Sequence, residues 1–128
     1  MKMMGLKLAV MAAVILNVIG CGEQGLSVSG DAAGSCDVRK PSNPFCYDYE
    51  RASSAAVVAD AIQGCAIETG SWSDALCSHQ DSLGGCSTDV SSTSGTVTRT
   101  FWTYSGAGVT TAEVMSGCTS LSGEFVNP

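Results

Sequence analysis

Residues 59–72 (ADAIQGCAIETGSW) and 112–125 (AEVMSGCTSLSGEF) align without a gap at an offset of 53 positions. Both segments contain a Gly-Cys pair, with Cys65 in the first copy and Cys118 in the second. Each cysteine is followed by four residues, a glycine, one further residue and then an aromatic residue. We therefore predict two equivalent α–β units on one antiparallel sheet. Two copies are too few for a solenoid, which needs at least three repeats.

The helix of each copy has its own start signal. Ser53 or Ser54 can cap the first helix, which we expect to run to about Ile67. Thr110 and Glu113 fit a capping box, so the second helix is expected to begin after Thr110 and to continue to about Ser120. Helical spacing predicts these inward-facing residues: Val58, Ile62, Cys65 and Ala66 in the first helix, and Val114, Met115 and Cys118 in the second.

Strand signals surround the two helices. Residues 96–104 (TVTRTFWTY) are dense in β-branched and aromatic residues, and shorter strands are predicted at 45–49, 71–77, 86–90 and 124–126. Two prolines and the Ser42-Asn43 pair predict a loop over residues 37–44. The predicted fold class is α+β, a small disulfide-stapled domain with two helices packed on a mostly antiparallel sheet of about four short strands.

The N-terminus has the three parts of a secretory signal. Lys2 and Lys7 supply the positive charge, residues 8–18 (LAVMAAVILNV) form an apolar run, and a small residue precedes Cys21. The apolar run is about 11 residues long, whereas a membrane-spanning helix needs about 20. We therefore predict a signal peptide over residues 1–20.

The cleavage region, Val18-Ile19-Gly20-Cys21, resembles the lipobox of bacterial lipoprotein precursors, although Ile19 stands where Ala or Ser is commoner. The resemblance implies cleavage before Cys21 and a lipid anchor on its thiol, which is how the chain would meet a membrane. By the same resemblance, Gly22 after the lipidated cysteine favours the outer membrane of a bacterial envelope. An ordinary signal peptide followed by a chance cysteine is the alternative interpretation.

Two further segments follow the predicted signal peptide. Residues 21–35 are predicted to be the lipidated cysteine and a flexible tether, because they are rich in Gly, Ser and Ala and poor in bulky apolar groups. Residues 36–128 are predicted to be a cysteine-rich α+β domain. Through its repeated Cys-x4-Gly-x-aromatic motif, with Gly85-Cys86 between the two copies, the stretch 46–126 is similar to small cysteine-rich envelope lipoproteins of unknown function, a resemblance that implies no activity.

The cysteine count fits this organisation. The chain has 7 cysteines, and if Cys21 carries lipid an even set of six remains: Cys36, Cys46, Cys65, Cys77, Cys86 and Cys118. An even set in an oxidising compartment predicts three disulfides, with 15 pairings open. Proximity across a turn favours Cys77–Cys86, and Cys46–Cys65 with Cys36–Cys118 would complete the set.

Metal binding by Cys77, His79 and Cys86 is the competing interpretation of these cysteines. The spacing fits no common zinc pattern, and an oxidising compartment favours disulfides over thiolate ligands. We therefore predict no metal and no cofactor.

The charge of the mature chain argues against one class of partner. Lys2 and Lys7 leave with the signal, so residues 21–128 keep four basic residues against 12 acidic ones, a formal charge of −8. Such a charge repels phosphate backbones, so we predict no nucleic-acid binding.

No catalytic set of residues is complete in the sequence. His79 is the only histidine, and a Ser–His–Asp arrangement can recruit it with Asp74 or Asp81. However, no Gly-x-Ser-x-Gly motif precedes a helix. We predict a non-catalytic binding or structural domain, with a small anchored hydrolase that uses His79, or an enzyme inhibitor, as alternatives.

Aromatic residues of the 96–104 strand supply a candidate binding patch. Strand alternation places Phe101 on one face, and Trp102 with Tyr104 on the other. If helices cover one face, an exposed patch drawn from Phe101, Trp102 and Tyr104 can bind an unknown protein or glycan partner. The other interpretation, that these side chains fill the core, stays open at this stage.

Overall fold

The computed structural model describes residues 32–128, which form a six-stranded antiparallel sheet and two helices. The predicted signal peptide, Cys21 and the predicted tether up to residue 31 lie outside the described residues. The α+β class is confirmed, but the described residues contain six strands rather than about four. In chain order the elements are β1 (Ala32–Asp37), β2 (Phe45–Glu50), α1 (Ala55–Ile67), β3 (Ser71–Ser73), β4 (Ser82–Ser92), β5 (Gly95–Tyr104), α2 (Thr111–Ser120) and β6 (Glu124–Val126).

The sheet is built from two equivalent halves. Its strand order is β3-β1-β2-β5-β4-β6, and every neighbouring pair is antiparallel. Each half has the same succession of elements, two strands, a helix and a three-residue edge strand. The halves meet along β2 and β5, where Tyr47 lies opposite Phe101. The predicted repeat of an α–β unit is therefore present, and it extends to the two strands before each helix.

Each half uses a glycine to seat the aromatic residue of its edge strand. Gly34 in β1 has a φ of +143°, and Gly84 in β4 has a φ of +136°. A Cβ at Gly34 would lie 2.6 Å from a ring carbon of Trp72, and one at Gly84 would lie 2.5 Å from a ring carbon of Phe125. Only glycine accommodates both this backbone conformation and this contact.

Strand β1 corrects the predicted boundary of the tether. Residues 32–35 are predicted to be part of the tether, but they belong to a strand that pairs with β2 on one side and with β3 on the other. Small side chains are typical of tethers, but in β1 the packing of neighbouring strands requires them. The Trp72 ring covers Gly34, and Ser35 is buried, being 3% exposed.

Three disulfides join the six cysteines among the described residues: Cys36–Cys65, Cys46–Cys77 and Cys86–Cys118. The prediction of three disulfides is confirmed, but the predicted pairs are wrong: Cys77–Cys86, Cys46–Cys65 and Cys36–Cys118. The error arises because β3 and β4 do not form a hairpin. β3 is one edge of the sheet and β4 belongs to the other half, so residues 74–81 cross the sheet instead of turning back.

Two of these disulfides are equivalent, one in each half. Cys36–Cys65 ties β1 to α1, and Cys86–Cys118 ties β4 to α2. The glycine of the repeat makes room for each bond. A Cβ at Gly70 would lie 2.6 Å from the sulfur of Cys36, and one at Gly123 would lie 2.5 Å from the sulfur of Cys86.

The two faces of the sheet are covered differently. Both helices lie on one face, where α1 contacts β1, β3 and β5 and α2 contacts β4 and β6. Residues 74–81 cross the opposite face, where Cys77 is bonded to Cys46 and the Ser35 hydroxyl donates a hydrogen bond of 2.7 Å to the Ala75 carbonyl. Among residues 32–128, neither helix is long and apolar enough to cross a bilayer.

The predicted helix starts are confirmed, whereas several strand bounds differ. Ser54 caps α1, and Thr110 forms a capping box with Glu113 at the start of α2. Strand β3 ends at Ser73 instead of residue 77. Strand β4 extends from Ser82 to Ser92 and pairs along the whole of β5, with a β-bulge between Ser82 and Gly84.

The helices touch the sheet along narrower strips than their spacing predicts. In α1, Val57, Val58 and Cys65 are buried, while Ile62 is 40% exposed and Ala66 is also exposed. In α2 only Cys118 is buried, Val114 is half-buried and Met115 is 47% exposed. The disulfides hold each helix near its C-terminal end, so much of its apolar surface stays in contact with solvent.

Candidate functional site

The face that carries the helices has an open channel over the middle of the sheet. Its floor consists of four half-buried side chains from the two central strands: Phe45, Tyr47, Arg99 and Phe101. Its walls are formed by α1 on one side and α2 on the other. We call this channel the central trough.

The aromatic floor is preorganised by contacts between its own rings. The Phe45 and Phe101 ring centroids are 4.6 Å apart with an interplanar angle of 34°, and the Tyr47 and Phe101 centroids are 5.2 Å apart with an angle of 47°. Such tilted pairs contribute about 0.5–1.5 kcal/mol each beyond their burial. The rings therefore hold a fixed surface that remains partly open to solvent.

The part of the trough beside α2 is an apolar cavity of about 250 Å³. Phe45 and Phe101 form its base, while Val109, Val114 and Leu121 form its wall. Val109 is 41% exposed and Leu121 is 72% exposed. Clustered exposed apolar side chains of this kind mark interaction surfaces on soluble domains.

Arg99 occupies the middle of the trough. Its guanidinium carbon lies 5.6 Å from the centre of the Tyr47 ring. The Arg99 side chain lines two neighbouring cavities, one in the middle of the trough and one beside α1. Its Nε is buried and has no hydrogen-bond partner, and no carboxylate among residues 32–128 forms an ion pair with it. A guanidinium offers five N–H donors in a planar fork that matches a carboxylate. Arg99 is therefore suited to an anionic group from outside the described residues.

Two tyrosines next to Arg99 keep their hydroxyl protons at neutral pH. Burial is the main cause that raises the pKa of both Tyr47 and Tyr49. The carboxylate of Glu68 acts in the same direction, while the Arg99 guanidinium opposes it. Both hydroxyls therefore remain available as hydrogen-bond donors beside the trough.

A glycine stands at the same place in each wall. Gly64 of α1 and Gly117 of α2 are equivalent in the repeat, and both line the trough. A Cβ at either position would meet nothing within 4 Å, and neither residue has a positive φ. Glycine inside a helix costs about 1 kcal/mol relative to alanine. No contact within the described residues explains this cost. The absence of a side chain at both positions makes the walls of the trough lower there.

The three residues of the candidate patch lie on two faces of the sheet, as strand alternation predicts. Phe101 lies in the trough, whereas Trp102 is 3% exposed and Tyr104 is 4% exposed on the opposite face, beneath residues 74–81. Trp102 and Tyr104 therefore fill the core there, as the alternative interpretation holds.

Phe45, Tyr47 and Arg99 were not among the candidate site residues. The alternation of β2 and β5 already gives the face of each side chain. What the sequence does not give is their register, Phe45 opposite Thr103 and Tyr47 opposite Phe101, which brings the rings together across two strands.

His79 lies on the opposite face, beside a buried carboxylate. Its Nε2 is 3.6 Å from Asp48 Oδ2, and its ring centroid is 3.9 Å from that of Trp102. Asp48 accepts a hydrogen bond of 2.6 Å from the Cys77 backbone N–H and one of 2.7 Å from the Trp102 indole N–H. These bonds fasten residues 74–81 to the sheet.

The geometry of a nucleophilic triad is not assembled around His79 in this part of the chain. Within residues 32–128, no serine hydroxyl is hydrogen-bonded to His79, and neither Asp74 nor Asp81 forms an ion pair with it. The His79 side chain is 41% exposed.

Both cysteines of the metal-site interpretation form disulfides with other residues. Cys77 is bonded to Cys46, and Cys86 is bonded to Cys118. Over residues 32–128, no group of three or more His, Cys, Asp or Glu side chains is placed to hold a metal ion.

Comparison of the chain with protein-family models, curated proteins and solved structures finds no match. The functional conclusion therefore depends on the geometry of the central trough and on the motifs of the sequence.

Proposed function

We propose that this chain is a lipoprotein of a bacterial cell envelope, anchored by lipid on Cys21 at the outer membrane, whose domain binds a partner protein without catalysis. The lipobox-like Val18-Ile19-Gly20-Cys21 supports the anchor. The cysteine pairing is consistent with it, because the six cysteines of residues 36–118 bond to one another. Such an arrangement is expected if Cys21 is kept for lipid.

The observation that carries the binding role is the central trough. Aromatic residues and arginine are the residue types that contribute most to protein interfaces, and Tyr47, Arg99 and Phe101 stand together at its centre. Leu121, 72% exposed, stands at the rim, where a partner can bury it. Burial of one such side chain contributes about 1.5–3 kcal/mol.

A protein partner fits the trough better than a glycan does. The wall beside α2 is formed by Val109, Val114 and Leu121 and offers few hydrogen-bond donors or acceptors. A glycan needs many polar partners for its hydroxyl groups, since each one buried without a partner costs free energy. Apolar side chains of a protein need none.

Site-specific photocrosslinking in the intact envelope tests this function. A photoreactive phenylalanine analogue at Leu121 faces the trough, while the same analogue at Met115, which is 47% exposed and does not line the trough, is the matched control. We expect an adduct of one defined mass from position 121, none from position 115, and loss of the adduct when Val114→Lys blocks the trough. Equal adducts from both positions, or none from position 121, would refute the proposal.

A further inference from the structure

We infer that the trough recognises a peptide segment in which an apolar side chain stands beside a carboxylate, with the carboxylate held by Arg99. This inference rests on the proposed binding function and names the chemistry of its partner. The apolar side chain occupies the cavity beside α2, and the peptide backbone passes close to Gly64 and Gly117.

Charge complementarity is the first argument. Arg39, elsewhere in the domain, is paired with Asp37 at 2.5 Å, but Arg99 has no such carboxylate among residues 32–128. Arg51 also forms no ion pair among these residues, but it is exposed to solvent, whereas the Nε of Arg99 is buried without a hydrogen-bond partner. The Tyr47 ring lies against one side of the guanidinium, and the lower local dielectric beside an aromatic ring strengthens a charge-assisted hydrogen bond to a ligand.

The apolar cavity supplies the second argument. It adjoins the cavity of Arg99, because Phe101 and Leu121 line both. Its volume of about 250 Å³ equals that of about eight liquid waters, which suits one large aliphatic or aromatic side chain. A ligand that places an apolar group and a carboxylate next to each other therefore fills both cavities at once.

The paired glycines point to a backbone as the third element of the ligand. Glycine at the equivalent positions 64 and 117 makes each helix less stable than alanine would, although the space above each residue is open. A close approach of another main chain is one established use of glycine, because a Cβ keeps the approaching chain at a distance. The same glycines give no advantage to a fatty acid, which can bend around a methyl group.

The acidic residues of the walls limit where a bound ligand can carry a negative charge. Asp60 and Glu68 line the α1 side, and Glu113 lines the α2 side. A single carboxylate beside Arg99 is compatible with these charges. A uniformly acidic peptide is not, since like charges repel.

The test is a selection of twelve-residue peptides displayed on phage against the immobilised full chain, run in parallel on Arg99→Gln, Gly117→Ala and the control Met115→Ala. We expect the wild type and Met115→Ala to enrich peptides with a large apolar residue next to Asp or Glu. Arg99→Gln should lose the acidic preference while keeping the apolar one. Gly117→Ala should enrich neither.

A matched peptide pair gives the size of the effect. Replacing the selected Asp or Glu by Asn or Gln should weaken binding to the wild type about tenfold and leave binding to Arg99→Gln unchanged, because the charged hydrogen bond is already lost there. Thermal melts control for misfolding. Gly117→Ala should melt no lower than the wild type, since its Cβ meets nothing within 4 Å.

The outcomes separate this inference from the proposed function. Peptides that need Val114 and Leu121 but show no acidic preference would overturn the inference and leave the binding function standing. No enriched peptide together with no adduct from position 121 would remove both. Tight binding of dodecanoate in place of peptides, or a dimer that buries Leu121, would assign the trough to a lipid or to a second copy and overturn the inference.

Discussion

Asp48 shows how one residue can hold two layers together. Asp48 is 2% exposed, and its carboxylate accepts hydrogen bonds from the Trp102 indole N–H and from the Cys77 backbone N–H. The first bond spans two neighbouring strands and the second reaches residues 74–81. A buried carboxylate is costly unless donors satisfy it, so Asp48 fixes both partners in place.

Substitution of Asp48 tests this role. Asp48→Ala leaves the indole N–H and the Cys77 N–H without acceptors, and we expect a loss of about 3 kcal/mol or more in the free energy of unfolding. Urea denaturation followed by tryptophan fluorescence measures it. The exposed Asp74→Ala is the control and should change stability by less than about 0.5 kcal/mol. Equal stability of the two variants would contradict the role given to Asp48.

The tyrosines make the domain sensitive to alkali. Burial raises the pKa of Tyr47, Tyr49 and Tyr104, so the folded state favours the neutral phenol. Their contribution to stability is complete below the unfolded pKa of about 10 and is lost as pH rises through the higher folded values. We expect the melting temperature to fall steeply above a pH of about 10. Tyr49→Phe should reduce that fall, and an unchanged pH profile would count against burial as its cause.

At the scale of elements, the helix termini are the features that the sequence predicts best. Capping is local, so Thr110 and Glu113 identify the start of α2 from a few residues. Hydrogen bonds from the Thr110 backbone N–H and hydroxyl lower the pKa of Glu113. The stability that the ionised Glu113 adds to the folded state is therefore present above the unfolded pKa of this carboxyl group. It is lost as pH falls through the lower folded value.

The capping box of α2 gives a prediction at this scale. Thr110→Ala removes the acceptor for the Glu113 backbone N–H and should cost about 1 kcal/mol of stability. Thr111→Ala, one residue further into the helix, is the control and should cost less, because no described side-chain hydrogen bond involves it. Thermal denaturation of the two variants side by side makes the comparison, and a larger loss from Thr111→Ala would reject the cap.

Strand β1 could not be predicted because its cause lies far away in the sequence. Its residues are small since Trp72 and Ser73 of another strand come close to Gly34, and composition alone cannot distinguish that requirement from a flexible tether. The faces of β5 were predicted correctly, because alternation is local. The trough was not predicted, since it depends on the register between β2 and β5.

At the scale of the whole molecule, the duplication explains the disulfides. Cys36–Cys65 and Cys86–Cys118 each tie a helix to the first strand of its half, with sequence separations of 29 and 32 residues. The cysteines of the repeat were visible in the sequence, but their partners in β1 and β4 lie outside the aligned segments. Predicting the pairs required the strand order, which places the ends of the two halves on opposite edges of the sheet.

Removal of each equivalent disulfide should have similar effects. A loop of about 30 residues contributes about 3.6 kcal/mol in the chain-entropy treatment, so Cys36→Ala/Cys65→Ala and Cys86→Ala/Cys118→Ala should each lose about that much. Cys46→Ala/Cys77→Ala should in addition expose Trp102, which residues 74–81 cover. Acrylamide quenching of tryptophan fluorescence detects the exposure. An increase in quenching limited to the other two variants would contradict the assignment of the two faces.

The central claim is that an anchored chain carries a domain closed by these three disulfides, and the intact mass of the mature protein from membranes tests it most directly. Measured before and after reduction and alkylation, the mass should show a chain that starts at Cys21 with a lipid increment, and six alkyl groups added only after reduction. Peptides from a non-reducing digest should join Cys36 to Cys65, Cys46 to Cys77 and Cys86 to Cys118. A lipid-free chain, or cysteines that alkylate without reduction, would contradict the account.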